Sequence, residues 1–453
     1  MKLLNTRSCF FQESDLRLDA SFHLSDGPLT KLILKKSPFE ISTLGKETKN
    51  IFKGNIFKRV YVSTATHGFP FMTASDMMKT DMNSGKFVSK KYTKISNLLF
   101  EKGWTLVSRS GTLGNTAYTS EDYDEVVGTD DLIRVVPDED KQVRGGYLYA
   151  YLSSKYGYGL LTQSSYGGVV KHIEPHHIEN LPIPMLPDTK QQQIHNLIED
   201  ASSLRVESNA MLKEAIDFFD KKYCVNGLVK VFKKNIKNCN FSLAAYNNNL
   251  ECDTVESLLL NDYMTISDIA KNCFAPPLFK HIYLKKNNGH PFLTGAELTK
   301  FHKKYYRWLS PRGVKNIQNY KISKGTLLFY KSGTTDGGIL GNVFIADDIL
   351  DGACLSDHVI RVSIEDLAMA YWAFAFFKSS AGIRLLLKLA TGSVIPFITP
   401  ERLKGVKLPK PDENFKWVVQ KIESYIANSV ESQMKEQQAI SLVEKEIESW
   451  QKS

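Results

Sequence analysis

Ile56-Phe57-Lys58-Arg59-Val60-Tyr61-Val62 returns later in the chain as Leu278-Phe279-Lys280-His281-Ile282-Tyr283-Leu284, at an offset of about 222 in 453 residues. The correspondence continues in order. Pro70-Phe71-Met72-Thr73 returns as Pro291-Phe292-Leu293-Thr294, and Lys102-Gly103-Trp104-Thr105-Leu106 as Lys324-Gly325-Thr326-Leu327-Leu328. Ser110-Gly111-Thr112 returns as Ser332-Gly333-Thr334, and Leu113-Gly114-Asn115 as Leu340-Gly341-Asn342 after an insertion. Ile133-Arg134-Val135 meets Ile360-Arg361-Val362, and Pro175 meets Pro400. Matches kept in order over this length mark an internal duplication.

Within each copy, Thr105-Leu106-Val107 and Ala117-Tyr118 (and their equivalents) flank a Ser-Gly-Thr turn as hairpin strands do. Residues 148–161 and 367–389 instead space their apolar residues at helical period. Leu181-Pro182-Ile183-Pro184-Met185-Leu186-Pro187 and Leu408-Pro409-Lys410-Pro411 cannot continue a helix, because proline lacks the N–H that a helix needs. They mark the exits from the two modules. Beyond them, Ile194, Leu197, Ala201, Leu204, Ser208, Met211, Ala215 and Phe218 alternate steps of three and four, as a coiled-coil seam does. Val419, Ile422, Ile426, Ser429, Gln433, Glu436, Ile440, Val443, Ile447 and Trp450 repeat that pattern with a polar middle.

These readings predict an α+β (α/β-like) fold with two similar recognition modules, each of small sheets and helices. The expected divisions are 1–187 for the first module, 188–222 for the first spacer helix, 223–411 for a linker and the second module, and 412–453 for the second helix. The two helices are expected to pair as an antiparallel, pseudo-two-fold symmetric coiled coil that separates the modules.

With 42% hydrophobic and 11% aromatic residues, the chain is too apolar for a disordered protein. Its six cysteines form no C-x-x-C pair, which argues for reduced thiols in a cytoplasmic protein. The apolar run Leu367 to Phe377 closes at Lys378, too short to span a membrane. The net charge is +9, and its placement is more informative than its size. Residues 53–109 hold ten Lys or Arg against three acids, and residues 271–331 hold thirteen against one. Both copies are basic in the same place, as a surface tracking phosphates requires.

Motifs for autonomous chemistry are missing. The stretch Gly333 to Gly341 does not end in the Gly-Lys-Ser/Thr of a phosphate loop. Ala275-Pro276-Pro277-Leu278-Phe279 has the proline pair of adenine methyltransferases but an alanine where the amine acceptor belongs. Pro137-Asp138-Glu139-Asp140-Lys141 places its acids on one short segment, as an exposed turn does, and His172, His176 and His177 lack a further ligand at metal spacing.

The duplicated series, the segment Gly167 to Pro175, Asn180-Leu181-Pro182-Ile183-Pro184, and Gln191-Gln192-Gln193-Ile194 opening a long helix together resemble the DNA specificity subunit of Type I restriction-modification systems. In the second copy Asp412-Glu413-Asn414-Phe415-Lys416-Trp417 replaces the glutamine run. The resemblance implies a non-catalytic subunit. It implies two target-recognition modules reading a bipartite site in double-stranded DNA, with helices that dock two adenine-methyltransferase subunits and the restriction/translocase subunits. S-adenosylmethionine, ATP and Mg are then expected on the partners. Candidate DNA contacts are Lys58, Arg59, Lys90, Lys91, Ser108, Arg109, Ser110, Thr112, Asn115 and Lys171 in the first copy. In the second they are Lys280, Lys285, Lys286, Lys303, Lys304, Arg307, Lys331, Ser332, Thr334 and Asn342. The turn residues among these read equally as structural. Two rival functions remain at this stage: an autonomous DNA-modifying enzyme, and a protein-binding scaffold in phage defence.

Overall fold

The computed structural model describes residues 25–80, 85–111, 113–163, 172–224, 233–235, 239, 247–259, 262–303, 307–334, 338–392 and 394–451. Thr112, Lys171 and Lys304, three of the candidate contacts, lie outside them. The chain divides into two compact units, Met1–Val206 with Glu431–Ser453, and Glu207–Val430.

In the first unit the strands are β1 (Ile41–Thr43), β2 (Thr48–Lys53), β3 (Tyr61–Val62), β4 (Gly68–Met72), β5 (Phe87–Ser89), β6 (Thr105–Ser108), β7 (Thr116–Tyr118), β8 (Val127–Gly128), β9 (Leu132–Pro137) and β10 (Pro182–Pro184). They make an antiparallel sheet of order β2-β9-β6-β7, a second sheet of order β3-β5-β4-β8 closed by a parallel β4–β8 pair, and the two-stranded β1-β10. Strand β6 is buried throughout. Successive strand side chains point to opposite faces, so Leu106 enters the cluster of Met72, Phe100 and Tyr123, and Val107 the cluster of Tyr147 and Leu148. Gly111 (φ +69°) and Gly114 (φ +77°) give the β6–β7 connection its left-handed turns.

The second unit repeats this plan with β11 (Tyr263–Thr265), β12 (Ala270–Phe274), β13 (Tyr283–Leu284), β14 (His290–Leu293), β15 (Arg307–Leu309), β16 (Leu327–Tyr330), β17 (Val343–Ile345), β18 (Cys354–Leu355), β19 (Val359–Ile364) and β20 (Lys407–Pro409). The orders are β12-β19-β16-β17, β13-β15-β14-β18 and β11-β20. Even the irregularity in the outer strand recurs, between Thr48 and Asn50 in one copy and between Ala270 and Asn272 in the other.

Helical spacing runs without interruption over 148–161 and 367–389. The structure breaks each in two: α1 (Gly145–Ser153) and α2 (Lys155–Gln163), then α5 (Leu367–Lys378) and α6 (Ser380–Lys388), with α3 (Pro175–Glu179) and α4 (Asp188–Lys222) between these pairs. The cause is a serine with a glycine three residues on. Ser154 and Ser379 donate to the carbonyls of Tyr151 and Phe376 and accept from the N–H groups of Gly157 and Gly382. A Cβ on either glycine would lie 2.2 Å from a backbone oxygen of the preceding helix. Two short helices therefore pack across one another where periodicity alone would draw a straight one.

The tail helices are α4 and, after α7 (Pro400–Lys404), α8 (Phe415–Ser449); each long helix has 35 residues. In the first unit Lys435 pairs with Asp200 at 3.0 Å and Ser432 donates to the Ala201 carbonyl. In the second, Ser208 donates to the Tyr425 carbonyl at 2.9 Å and Lys421 pairs with Glu214 at 2.6 Å. Within each unit numbers rise on one helix as they fall on the other, so the pairing is antiparallel. The polar middle of α8 is occupied rather than wasted, since buried Glu436 accepts from the Tyr149 hydroxyl. The seam differs from its expected line at the helix ends. Ile198, Phe219 and Val418 are buried, whereas Leu197, Phe218 and Val419 are only partly so. There the helices face module cores, Ile198 with Tyr147 and Phe219 with Trp372, and a core demands a wider apolar face than a coiled-coil seam.

Candidate nucleic-acid interface

The segment joining β2 to β3 carries the first basic cluster, and its anchors are local. Asn55 N–H donates to Asn97 Oδ1 at 3.3 Å, and the Phe57 ring packs edge-on to Phe71. In the second unit the Tyr320 hydroxyl donates to the Pro277 carbonyl at 2.9 Å, and Phe279 packs against Tyr320 and Phe292. Directly after these anchors Lys58 and Arg59, and Lys280 and His281, are exposed. Arg59 lies over the Phe71 ring and 3.6 Å from Asp130. Lys90 and Lys91 cover the rings of Phe69 and Tyr92, Arg307 covers Tyr283, and Lys285 and Lys286 stand in solvent.

A buried guanidinium holds each cluster against its frame. Arg134 donates to the carbonyls of Leu98, Gly128, Thr129 and Leu132. Arg361 donates to those of Tyr320, Leu355, Ser356 and Val359, the equivalent four. Burial pushes both down to about 10. One acceptor in each set, Leu132 or Val359, opens the arginine's own strand, and the others lie on β8 or β18 and in segments outside the central sheet, so each arginine ties its central sheet to the sheet that bears the basic loop. Composition shows a cation at these positions; nothing in the local pattern shows that it is inside.

The Ser-Gly-Thr turns are built from several of the candidate contacts. Ser108 is buried and its hydroxyl accepts from Asn115 N–H at 3.0 Å, and Asn342 closes the second turn through its amide on the Ile339 carbonyl. Arg109 donates to Glu174 through Nε at 3.0 Å and a second guanidinium nitrogen, with Asp131 at 3.5 Å. Ser110 donates to Asp131 at 2.7 Å, and Lys53 meets Glu174 at 2.9 Å. The second copy has Lys331, Ser332, His358, Thr399 and Ala275 at the places of Arg109, Ser110, Asp131, Glu174 and Lys53, so this ionic lattice belongs to the first module alone. Thr334 is exposed. Lys303 turns inward, its ammonium donating to the Leu298 and Lys300 carbonyls, and burial lowers it to about 8. Arg109, Ser108 and Lys303 thus spend their polar groups inside the protein. His177 accepts from Glu174 N–H at 3.0 Å, a helix-capping role, and no metal-holding cluster occurs among the described residues.

Residues 38–218 match the family described as the Type I restriction modification DNA specificity domain. The match covers the first module and most of the helix that follows it, 181 of 453 residues. Similar solved structures include the Type I restriction-modification S subunit from M. genitalium, at 12% identity over 90% of this chain and 95% of that one (TM-score 0.32). The HsdS subunit from Thermoanaerobacter tengcongensis matches at 13% over 91% and 97% (TM-score 0.30). A chain from a structure described as concerning complex assembly and conformational transition of the type I R-M system matches at 12% over 91% and 98% (TM-score 0.28). No curated protein sequence gives a significant match. No described helix is long and apolar enough to cross a membrane.

The lattice at Glu174 makes the first module sensitive to acid. Burial works to raise the Glu174 carboxyl, but hydrogen bonds from Arg109 and Lys53 outweigh it and hold the group at about 2, against an ordinary value of 4.5. A depressed carboxyl adds stability that is complete above its unfolded pKa and is lost as pH falls through the folded one. Glu174→Gln is expected to cost about 2 to 3 kcal/mol at neutral pH. It should also flatten the loss of stability between pH 4.5 and about 2, as read by urea unfolding across that range.

Proposed function

We propose that the chain reads a bipartite, asymmetric site in double-stranded DNA, one module to each half, and directs adenine-methyltransferase and restriction/translocase subunits to it in the cytoplasm. Residues 1–187 and 223–411 serve as the recognition modules and 188–222 and 412–453 as spacer helices. The observation that carries the reading is the exposed basic loop, anchored at equivalent positions on the same frame in both units. Frames that match while loops differ suit two unlike half-sites. S-adenosylmethionine, ATP and Mg belong to two methyltransferase and further restriction partners.

The test is a salt titration of DNA binding by the purified chain. Log affinity falls with log salt by about 0.9 per phosphate contact. Replacing Lys285 and Lys286 with glutamine is therefore expected to weaken binding to every duplex and to lower the slope by about 0.9 for each phosphate no longer neutralised. An unchanged slope would remove this face from the interface. No salt-dependent affinity in the native chain would favour the protein-binding scaffold.

A further inference from the structure

We propose that Ile56 and Leu278 are apolar base-contacting residues, one per module, whose side chains enter a DNA groove. The inference rests on the DNA-binding reading above and names the contact that the phosphates do not supply. Both side chains are 83% exposed, the same extreme value at equivalent positions of two copies whose sequences have otherwise diverged. A single exposed aliphatic side chain is ordinary. A matched pair held out by matched anchors is not. Ile56 sits between Asn55, bonded to Asn97, and Phe57, seated on Phe71. Leu278 sits between Pro277, whose carbonyl accepts from Tyr320, and Phe279, seated on the same ring. The backbone on either side is fixed, so each side chain is already in place and loses little freedom when it docks.

The surroundings identify the occupant. Lys58 and Arg59 follow Ile56, Lys280 and His281 follow Leu278, and Tyr61 and Tyr283 stand beyond them 52% and 44% exposed. Cations flanking a protruding apolar group suit a polyanion that carries apolar surface inside its grooves. DNA offers that surface as a thymine methyl in the major groove or as the face of a base at an opened step.

The experiment uses the full chain and duplexes enriched from a pool of randomised sequence. Ile56→Ser and Leu278→Ser remove no charge and no core packing, so the melting temperature and the salt slope are expected to stay as in the native chain. Affinity for the enriched duplex should fall about tenfold. Ile56→Ser should relax base preference in one half-site and Leu278→Ser in the other. Uracil in place of thymine should reproduce the loss if the methyl is the contact. If a base step is opened, the native chain should raise 2-aminopurine fluorescence there and the serine variants should not. Unchanged affinity and preference in both variants, on a duplex that the native chain binds in a salt-dependent way, would overturn the inference. Absence of salt-dependent binding by the native chain would overturn the DNA reading itself.

Discussion

Replacing Arg134 with methionine is expected to destabilise the first unit by about 3 to 4 kcal/mol, because four buried carbonyls lose the guanidinium at once; Leu98 and Thr129 each keep a backbone donor, whereas a group left unsatisfied costs about 1 to 3 kcal/mol before relaxation. Methionine has nearly the length to fill the space between Phe52 and Phe100, whose rings flank the guanidinium, so the loss reports hydrogen bonding rather than a cavity. Arg361→Met should do the same to the second unit, since its acceptors are the equivalent four. Urea unfolding with proteolytic mapping of the first segment to open checks both. Arg134→Met should expose residues of the first unit and leave the second protected. A loss under about 1 kcal/mol would mean that the two sheets hold together without the arginine.

The second large effect concerns the long helices. Under the proposed reading the distance between half-sites follows helix length at about 1.5 Å per residue. Four residues inserted after Leu204, matched by four after Asn428, add about 6 Å and keep the apolar face nearly in phase, because about 3.6 residues make a turn. The preferred DNA spacer should lengthen by about one to two base pairs at about 3.4 Å each, with both half-sites unchanged. A two-residue insertion turns the apolar face by about 200° and should instead break the pairing that Ala201 and Ser432, and Ser208 and Tyr425, now make. Modification should then be lost at all sites.

The duplication, the hairpin around the Ser-Gly-Thr turn and the long tails were legible because each leaves a local trace: ordered matches, strands on either side of a glycine turn, apolar residues every three or four positions. What stayed hidden depends on partners far apart in sequence. Arg109 reads as a DNA contact until Glu174, 65 residues later, is brought against it. Arg134 and Arg361 show in the sequence only as matched repeat positions, since no pattern shows four carbonyls converging on a guanidinium. Nothing in the sequence marks Ile56 and Leu278 as exposed, because an apolar side chain in a strand-like run is usually inside. The helix breaks at Ser154 and Ser379 escaped because apolar spacing continues through them, and only the close approaches of Gly157 and Gly382 disclose the crossing.

The most direct measurement is methylome sequencing of cells that carry the chain with its methyltransferase partner, comparing the native protein with the matched four-residue insertion. The account predicts a two-part modified site in the native case and, for the insertion, the same two half-sites at a longer spacing. Modification at the original spacing alone, or a single uninterrupted site in either case, would contradict it.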